Sequence, residues 1–335
     1  MPRKFMVILP EELIKRVRWA VKDIRRLIMP ARVPHFLYHY TREKGFNGIV
    51  ERRALWASCA ANLEDESEIT HGAEILAGII EHRLAHQITL RNFTKLVLAR
   101  LKSKPLERKE KTYVACFCER GNFESQWESY PYCLRFPTYR DGTPGLRART
   151  SRASIQFVKA TYKNQRKESS LITLVDRVIE ALEDQTIVDW DGDGHLARSI
   201  ADPVAFWISE LALDVLVSFK SDKFQCEHEW RLVIRPSQML PGSDRLLPDQ
   251  AFETMVITDD NGKRHIELFA QAPDSVLVRS GRPPVPFDSV TIGTFGEAEP
   301  LRVRAQRLLE DGCFEDIPVH LSKPKWWSRV PWVAK

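Results

Sequence analysis

The chain has 335 residues, of which 43% are apolar and 28% are charged. These proportions are those of a globular protein with a sizeable buried core, and they exclude a disordered chain. No stretch approaches the roughly eighteen uninterrupted apolar residues of a membrane helix, and the first ten residues are too short for a secretory signal, so we expect a cytoplasmic protein that does not associate with membranes.

The formal net charge is +5, and the basic residues concentrate in two stretches, residues 1–34 and the arginine-rich segment 135–152. Such stretches attract phosphate backbones, although solvated helix faces have the same composition. Nucleic acid is therefore a candidate partner, through the N-terminal segment and the arginine-rich segment.

Apolar residues recur at helical spacing between Pro10 and Ile28, which predicts an amphipathic helix. This basic helix forms an N-terminal accessory segment, residues 1–34, and serves either as a packed helix or as a partner-binding arm. Packing is favoured, because the helix has too few aromatic residues for a membrane-surface role.

Short strands and helices follow along the chain. The predicted strands are Phe36–Thr41, Leu55–Ser58, Thr112–Cys118, Ala153–Tyr162, Glu227–Ile234, Thr254–Thr258, Arg264–Phe269, Ser289–Ile292 and Pro318–Leu321. The predicted helices are Arg42–Arg53, a long tract Glu68–Leu101, Phe123–Tyr130, Ser170–Leu182, Pro203–Val217 and Leu301–Leu309, while Leu134–Arg149 has no periodicity and is predicted to be an exposed loop.

The strands and helices do not alternate regularly, which disfavours a doubly wound parallel sheet. We expect a single α+β domain over residues 35–322, with a mixed, mostly antiparallel sheet and surrounding helices. A tryptophan-rich C-terminal tail, residues 323–335, follows this domain.

The six cysteines are scattered and match neither a disulfide framework nor a zinc site. Cys116 and Cys118 flank Phe117 in an apolar run, so we expect two buried free thiols on one face of a strand. The acidic loop Asp189–Gly194 starts like a calcium loop, but Ile200 stands where the closing glutamate belongs. No metal site is predicted.

Two strands concentrate polar side chains. In Glu227–Ile234, alternation places Glu227, Glu229 and Arg231 on one face, which must lie in solvent or in a polar cleft. In Phe36–Thr41, His39 occurs among aromatic residues. Taken singly, the first pattern is explained by an exposed salt-bridge ladder and the second by a buried core histidine.

Taken together, the motifs of the chain resemble those of the bacterial domain-of-unknown-function family 2971. In order, they are L-Y-H-Y-T (Leu37–Thr41), L-W-A-S (Leu55–Ser58), N-L-E-D-E-S-E (Asn62–Glu68), A-C-F-C-E (Ala115–Glu119), S-Q-W-E-S-Y (Ser125–Tyr130) and E-H-E-W-R (Glu227–Arg231). The resemblance covers about Phe36 to Ser322, and the chain departs from it by a longer Arg/Pro loop at 134–150. The arrangement is in turn similar to the ADP-ribosyltransferase superfamily, especially the DNA-modifying transferases of toxin–antitoxin systems, which implies a sheet split by a cleft.

This resemblance implies an NAD-consuming enzyme that acts as a bacterial toxin or antiphage effector on nucleic acid or protein. Glu229 would be the late-strand acid that stabilises the positive ribose as nicotinamide leaves. The resemblance implies two further catalytic residues: His39, which would bind the ribose, and Glu227, which would orient or deprotonate the acceptor. The further residues implied to bind NAD are Tyr40, Thr41, Trp56, Ser58, Trp127, Tyr130 and Arg231.

Two alternatives stay open. One is a non-enzymatic ligand-sensing or binding protein of the same fold, and the other is an NAD hydrolase or nuclease-type effector that uses the same cleft. An antitoxin or another component of an effector complex is a candidate partner. The shared cleft requires His39 and Glu229 to meet, and side chains on opposite faces of the sheet would refute it.

Overall fold

The computed structural model describes residues 11–28, 32–62, 68–103, 111–139, 144–148, 153–184, 201–202, 204–205, 215–236, 253, 255–270, 285–294, 298–312 and 314–322. The tryptophan-rich tail, the acidic loop 189–194, most of the predicted helix 203–217 and three arginines of the second basic stretch (Arg140, Arg149 and Arg152) lie outside the described residues.

The described helices are α1 (Glu11–Ile28), α2 (Glu43–Arg52), α3 (Glu68–Leu84), α4 (Arg91–Ser103), α5 (Glu124–Trp127), α6 (Asn164–Glu183) and α7 (Ala298–Asp311). The predicted tract Glu68–Leu101 is therefore two helices and not one. The break contains the short 3₁₀ helix Ile88–Leu90, whose β-branched Ile88 and Thr89 have low helix propensity. It allows α3 and α4 to pack on each other within one core.

α1 packs against α6, with Leu13 and Ile14 buried in the core that α6 helps to form. Arg16 joins the two helices through an ion pair with Asp184 at 3.0 Å. None of the described helices has the length and apolarity needed to cross a membrane.

The described strands are β1 (Phe36–Thr41), β2 (Leu55–Cys59), β3 (Tyr113–Cys118), β4 (Tyr132–Pro137), β5 (Leu146–Arg147), β6 (Ala153–Lys159), β7 (Glu229–Pro236), β8 (Val256–Thr258), β9 (Arg264–Ala270), β10 (Ser289–Ile292) and β11 (Val319–Leu321). They lie in the order β11-β10-β4-β1-β3-β2-β9-β5, with β7 and then β6 also attached to β3, and β8 attached to β9. Among these strands, only β10 and β11 pair in parallel, so the predicted α+β fold with a mostly antiparallel sheet is confirmed.

The prediction of an exposed loop over Leu134–Arg149 is wrong at its start, where β4 occupies Tyr132–Pro137, and near its end, where β5 begins at the buried Leu146. Side chains of β4 alternate: Leu134 and Phe136 are buried in an aromatic core, and Arg135 points to the opposite face. The arginine and the prolines in this segment concealed the alternation.

The sheet divides at β3. One edge of β3 pairs with β7 from Tyr113 to Cys118. The other edge is shared, because β1 pairs there only at Cys118 and β2 pairs only at Tyr113 and Val114. β1 and β2 therefore diverge opposite Cys116, and we call this place the opening.

The two faces of the sheet are covered differently. The aromatic face carries Phe117 and Trp230, and it packs beneath α2 and α7. The helical face carries Val114 and Val233, and it packs beneath α3, α4 and α6. Because strand side chains alternate, the face of every site residue follows from the register.

Candidate functional site

The E-H-E-W-R segment places a closed group of charges on the helical face. Glu229 accepts a hydrogen bond from Arg231 Nε at 2.7 Å on one carboxylate oxygen and one from Lys220 Nζ on the other. Lys220 Nζ also donates to Glu227 at 2.6 Å. We call Glu227, Glu229, Arg231 and Lys220 the buried cluster, since Glu229 and Arg231 are each only 2% exposed.

Backbone contacts fix this cluster in place. Arg231 Nη1 donates to the carbonyl of Val217 at 2.9 Å, and the backbone N–H of Glu229 donates to the Tyr162 hydroxyl at 2.8 Å. Burial alone would raise the pKa of Glu229, but Arg231 and Lys220 outweigh it and lower the pKa from 4.5 to about 2. Glu229 is therefore ionised near pH 7, and both of its carboxylate oxygens accept hydrogen bonds.

Glu227 does not lie on the strand, as the alternation predicted. It ends a 3₁₀ helix, Asp222–Glu227, and β7 begins only at Glu229. His228 between them has a left-handed backbone, with φ of 45°, which is uncommon outside glycine and strains the chain. Glu227 reaches the cluster through Lys220.

His39 and Glu229 lie on opposite faces of the sheet. Cys118 is in register with Tyr38 on one side and with Glu229 on the other, so these three side chains share the helical face. His39 follows Tyr38 in β1 and projects to the aromatic face, where its ring lies 5.8 Å from that of Phe117. The prediction that His39 and Glu229 meet in one cleft is therefore wrong, because the strand's alternation separates them.

His39 lies at the opening. Its Nδ1 is 2.9 Å from the carbonyl oxygen of Cys116, the residue of β3 opposite which β1 and β2 diverge. Nδ1 must carry the proton of this bond, which leaves Nε2 as the acceptor nitrogen. Burial lowers the pKa of His39, so the ring is neutral near pH 7.

Tyr40 and Trp127, both predicted to bind NAD, pack together on the helical face. The ring centroids are 5.1 Å apart in an edge-on arrangement. The Tyr40 hydroxyl donates to the carbonyl of Arg120 at 3.0 Å and accepts the backbone N–H of Phe123 at 2.9 Å. In this position the two residues hold the segment before α5 against β1.

Thr41 and Tyr130, also predicted to bind NAD, flank the start of α2. Thr41 is buried, and its hydroxyl occupies the space that a Cβ on Gly45 would need. The N-cap of α2 is Arg42, and its side chain makes no capping hydrogen bond. The Arg42 guanidinium lies 5.3 Å from the centre of the Tyr130 ring.

Trp56 and Ser58, the remaining predicted NAD-binding residues on β2, contact β9. The Trp56 ring stacks on His265 at 4.6 Å, and the Ser58 hydroxyl is 3.4 Å from His265 Nδ1. His265 Nε2 is 3.5 Å from a carboxylate oxygen of Asp259, a contact without hydrogen-bond geometry. This group lies across the opening from Tyr40 and Trp127.

A second polar group was missed by reasoning from the sequence. Glu119, just after β3, accepts hydrogen bonds from Trp230 Nε1 at 2.9 Å and from Lys159 Nζ on one carboxylate oxygen. Its other oxygen is 4.0 Å from Nδ1 of His228. We call Glu119, Lys159, His228 and Trp230 the rim cluster, because the first three side chains are 24%, 28% and 41% exposed. The sequence did contain one signal for this group, because Glu119 is an acidic residue directly after the apolar run A-C-F-C (Ala115–Cys118).

Cys116 and Cys118 are free thiols on the helical face beside Glu229. Burial, and secondarily the charge of Glu229, raises the pKa of both thiols well above its ordinary value. The prediction of two free thiols on one strand face is confirmed, but only Cys118 is buried as expected, and Cys116 is half-buried. Within the described ranges, no group of three or more His, Cys, Asp or Glu side chains is placed to hold a metal ion.

The described basic residues of the two basic stretches include several with acidic partners. Lys15 and Arg16 contact Glu11 and Glu12 of the same helix. In β4, Arg135 donates two hydrogen bonds to the carboxylate of Asp288, at 2.7 and 3.1 Å. Ion pairs of this kind reduce the electrostatic attraction between these basic residues and a phosphate backbone.

Comparison with protein-family models, with curated proteins and with solved structures finds no match to this chain.

Proposed function

We propose that the protein is an NAD-consuming enzyme of ADP-ribosyltransferase type that acts as a toxin or antiphage effector. One observation carries this proposal: β1 and β7, which carry the most specific motifs, L-Y-H-Y-T and E-H-E-W-R, both pair with β3, which carries A-C-F-C-E. L-Y-H-Y-T, A-C-F-C-E and E-H-E-W-R therefore converge, although long segments of chain separate them. The resemblance predicts that these strands are neighbours, and they are, although His39 and Glu229 face opposite sides of the sheet.

The chemistry also fits fixed carboxylates at this end of the sheet. Breaking the bond between nicotinamide and ribose builds positive charge on the ribose, as glycoside cleavage does. An anion held in place by protein donors stabilises that charge without reorganising during the reaction. Glu119, which accepts hydrogen bonds from Trp230 and Lys159, is a carboxylate held in this way.

The proposal is tested by incubating the purified protein with NAD labelled in its adenylate half, alone and with DNA, RNA or cell lysate. We expect nicotinamide release together with label transfer to a nucleic acid or a protein, and the labelled polymer identifies the acceptor. The double variant E119Q/E229Q controls for contaminating NAD glycohydrolases, and the exposed Glu128→Gln controls for substitution as such. Absence of nicotinamide release under every condition would contradict the proposal, while release without transfer would identify an NAD hydrolase.

The closed state of the buried cluster favours a second candidate, a ligand-sensing protein that does not turn NAD over. Glu229 is 2% exposed, and both of its carboxylate oxygens accept hydrogen bonds within the protein. A ligand could therefore bind this carboxylate only by displacing Lys220. Such a protein would be stabilised by NAD in thermal unfolding and would release no nicotinamide. The same incubation therefore separates the two candidates.

A further inference from the structure

The register places a carboxylate on the same face as His39, and it is not Glu229. Phe117 and Trp230 are in register on β3 and β7, and both belong to the aromatic face. His39 contacts Phe117, and Glu119 accepts a hydrogen bond from Trp230. His39 and Glu119 therefore lie on one face, attached to neighbouring strands.

Glu119 is also the more accessible of the two acids. Its side chain is 24% exposed, against 2% for Glu229. Trp230 and Lys159 both bond to the same oxygen, Oε1. Within the described part of the chain, Oε2 makes no hydrogen bond, and Nδ1 of the His228 ring lies 4.0 Å from it. Oε2 therefore has lone pairs to offer to a ligand hydroxyl.

The two hydrogen-bond donors, Lys159 and Trp230, fix the orientation of the Glu119 carboxylate and favour its ionised form. Burial alone would raise the pKa of Glu119, but the hydrogen bonds from Lys159 and Trp230 outweigh it and hold the pKa below its ordinary value. The carboxylate is thus ionised and fixed in orientation, as a group that stabilises a developing cation must be.

The backbone beside Glu119 is strained. His228 adopts a left-handed conformation, and its ring stacks on Phe123 at a centroid distance of 6.2 Å. A non-glycine residue keeps such a conformation only where its surroundings hold it, and such residues cluster at functional sites. The conformation directs the imidazole towards the rim cluster, where its side chain is 41% exposed.

We propose that Glu119, and not Glu229, is the catalytic carboxylate that faces NAD, an inference that rests on the proposed function. Glu119 Oε2 lies against the ribose while the bond from C1′ to nicotinamide breaks, and nicotinamide leaves as a neutral molecule with the bonding electron pair. The acceptor nucleophile then forms a bond to C1′, and its proton passes to the His228 imidazole. The buried cluster keeps a structural role.

The test compares nicotinamide release by wild type, Glu119→Gln, Glu229→Gln and the exposed control Glu128→Gln. We expect E119Q to lower kcat by about 100-fold or more, with KM and the unfolding midpoint close to wild type, because the amide keeps the Trp230 bond. We expect E229Q to lower the unfolding midpoint and to retain the kcat of wild type per folded molecule. E128Q should change neither quantity.

Each result decides between the proposals. A wild-type protein that is inert towards NAD overturns the proposed function and, with it, the role of Glu119. A wild-type protein that is active, with E119Q within threefold of it in kcat, overturns only the assignment of Glu119. Loss of activity in folded E229Q with retention in E119Q would return the catalytic role to Glu229.

Discussion

Replacing Glu229 by Gln should destabilise the protein in a manner that depends on pH. The pKa of Glu229 falls from 4.5 to about 2 on folding, because Arg231 and Lys220 outweigh the effect of burial. At 1.36 kcal/mol per pKa unit, this carboxylate contributes about 3 kcal/mol to the free energy of unfolding at pH 7. Because the pKa is depressed in the folded state, the contribution is complete above about pH 5 and disappears as the pH falls towards 2.

The assay is chemical unfolding of wild type and E229Q at pH 7, 5, 4 and 3. In the difference in unfolding free energy between the two proteins, the contributions of the other titrating groups cancel, because both proteins share those groups. We expect a difference of at least about 3 kcal/mol at pH 7 that shrinks by about half or more at pH 3. A difference that stays constant from pH 7 to pH 3, or that is absent at pH 7, would refute the placement of an ionised Glu229 between two cations.

Three further outcomes are expected. Arg231→Met should lower the unfolding free energy by about 3–5 kcal/mol, since it leaves the buried Glu229 charge with one partner fewer; a loss below 1 kcal/mol in the denaturant curve would contradict this. Gly78→Ala in α3 should raise it by about 1 kcal/mol, because the added Cβ meets nothing within 4 Å and alanine favours the helix; a destabilised variant would show that the helix is wrongly placed. Iodoacetamide should label exposed Cys226 well before buried Cys118, whose pKa is raised, and peptide mass spectrometry would show the reverse order if the face of β3 were misassigned.

Local patterns in the sequence predicted most helices and strands. They could not show which side chains of a strand lie on the aromatic face of the sheet and which lie on the helical face. β1 has large side chains on both faces, with Leu37 on one and Tyr38 and Tyr40 on the other. Both sets are packed, one against the aromatic core and one against Trp127. Alternation identifies the solvated face only when one face is polar, so β1 gave no local signal for the side on which His39 lies.

The division of the sheet at β3 is likewise a long-range property. β1 and β2 share an edge of β3 because each pairs with a different end of that strand, and both pairings join residues far apart in the chain. The motif order placed Leu37–Thr41 and Glu227–Arg231 in one site region, and the strands that carry them, β1 and β7, both pair with β3. Their order along the chain contained no information on register, which is why the acid was assigned to Glu229.

The E-H-E-W-R segment shows how one motif serves two faces. Glu229 and Arg231 are alternate residues of β7 and face the helices. Arg231 donates a hydrogen bond to the carbonyl of Val217, which connects the helical layer to the sheet. The intervening Trp230 faces the aromatic core, where its indole N–H orients Glu119. A strand that must satisfy buried partners on both sides allows few substitutions at either set of positions, since each removal leaves a polar group unpaired. Glu229 and Arg231, the charged residues that made this motif conspicuous in the sequence, therefore stabilise the fold. Trp230 connects the strand to Glu119, the more accessible carboxylate.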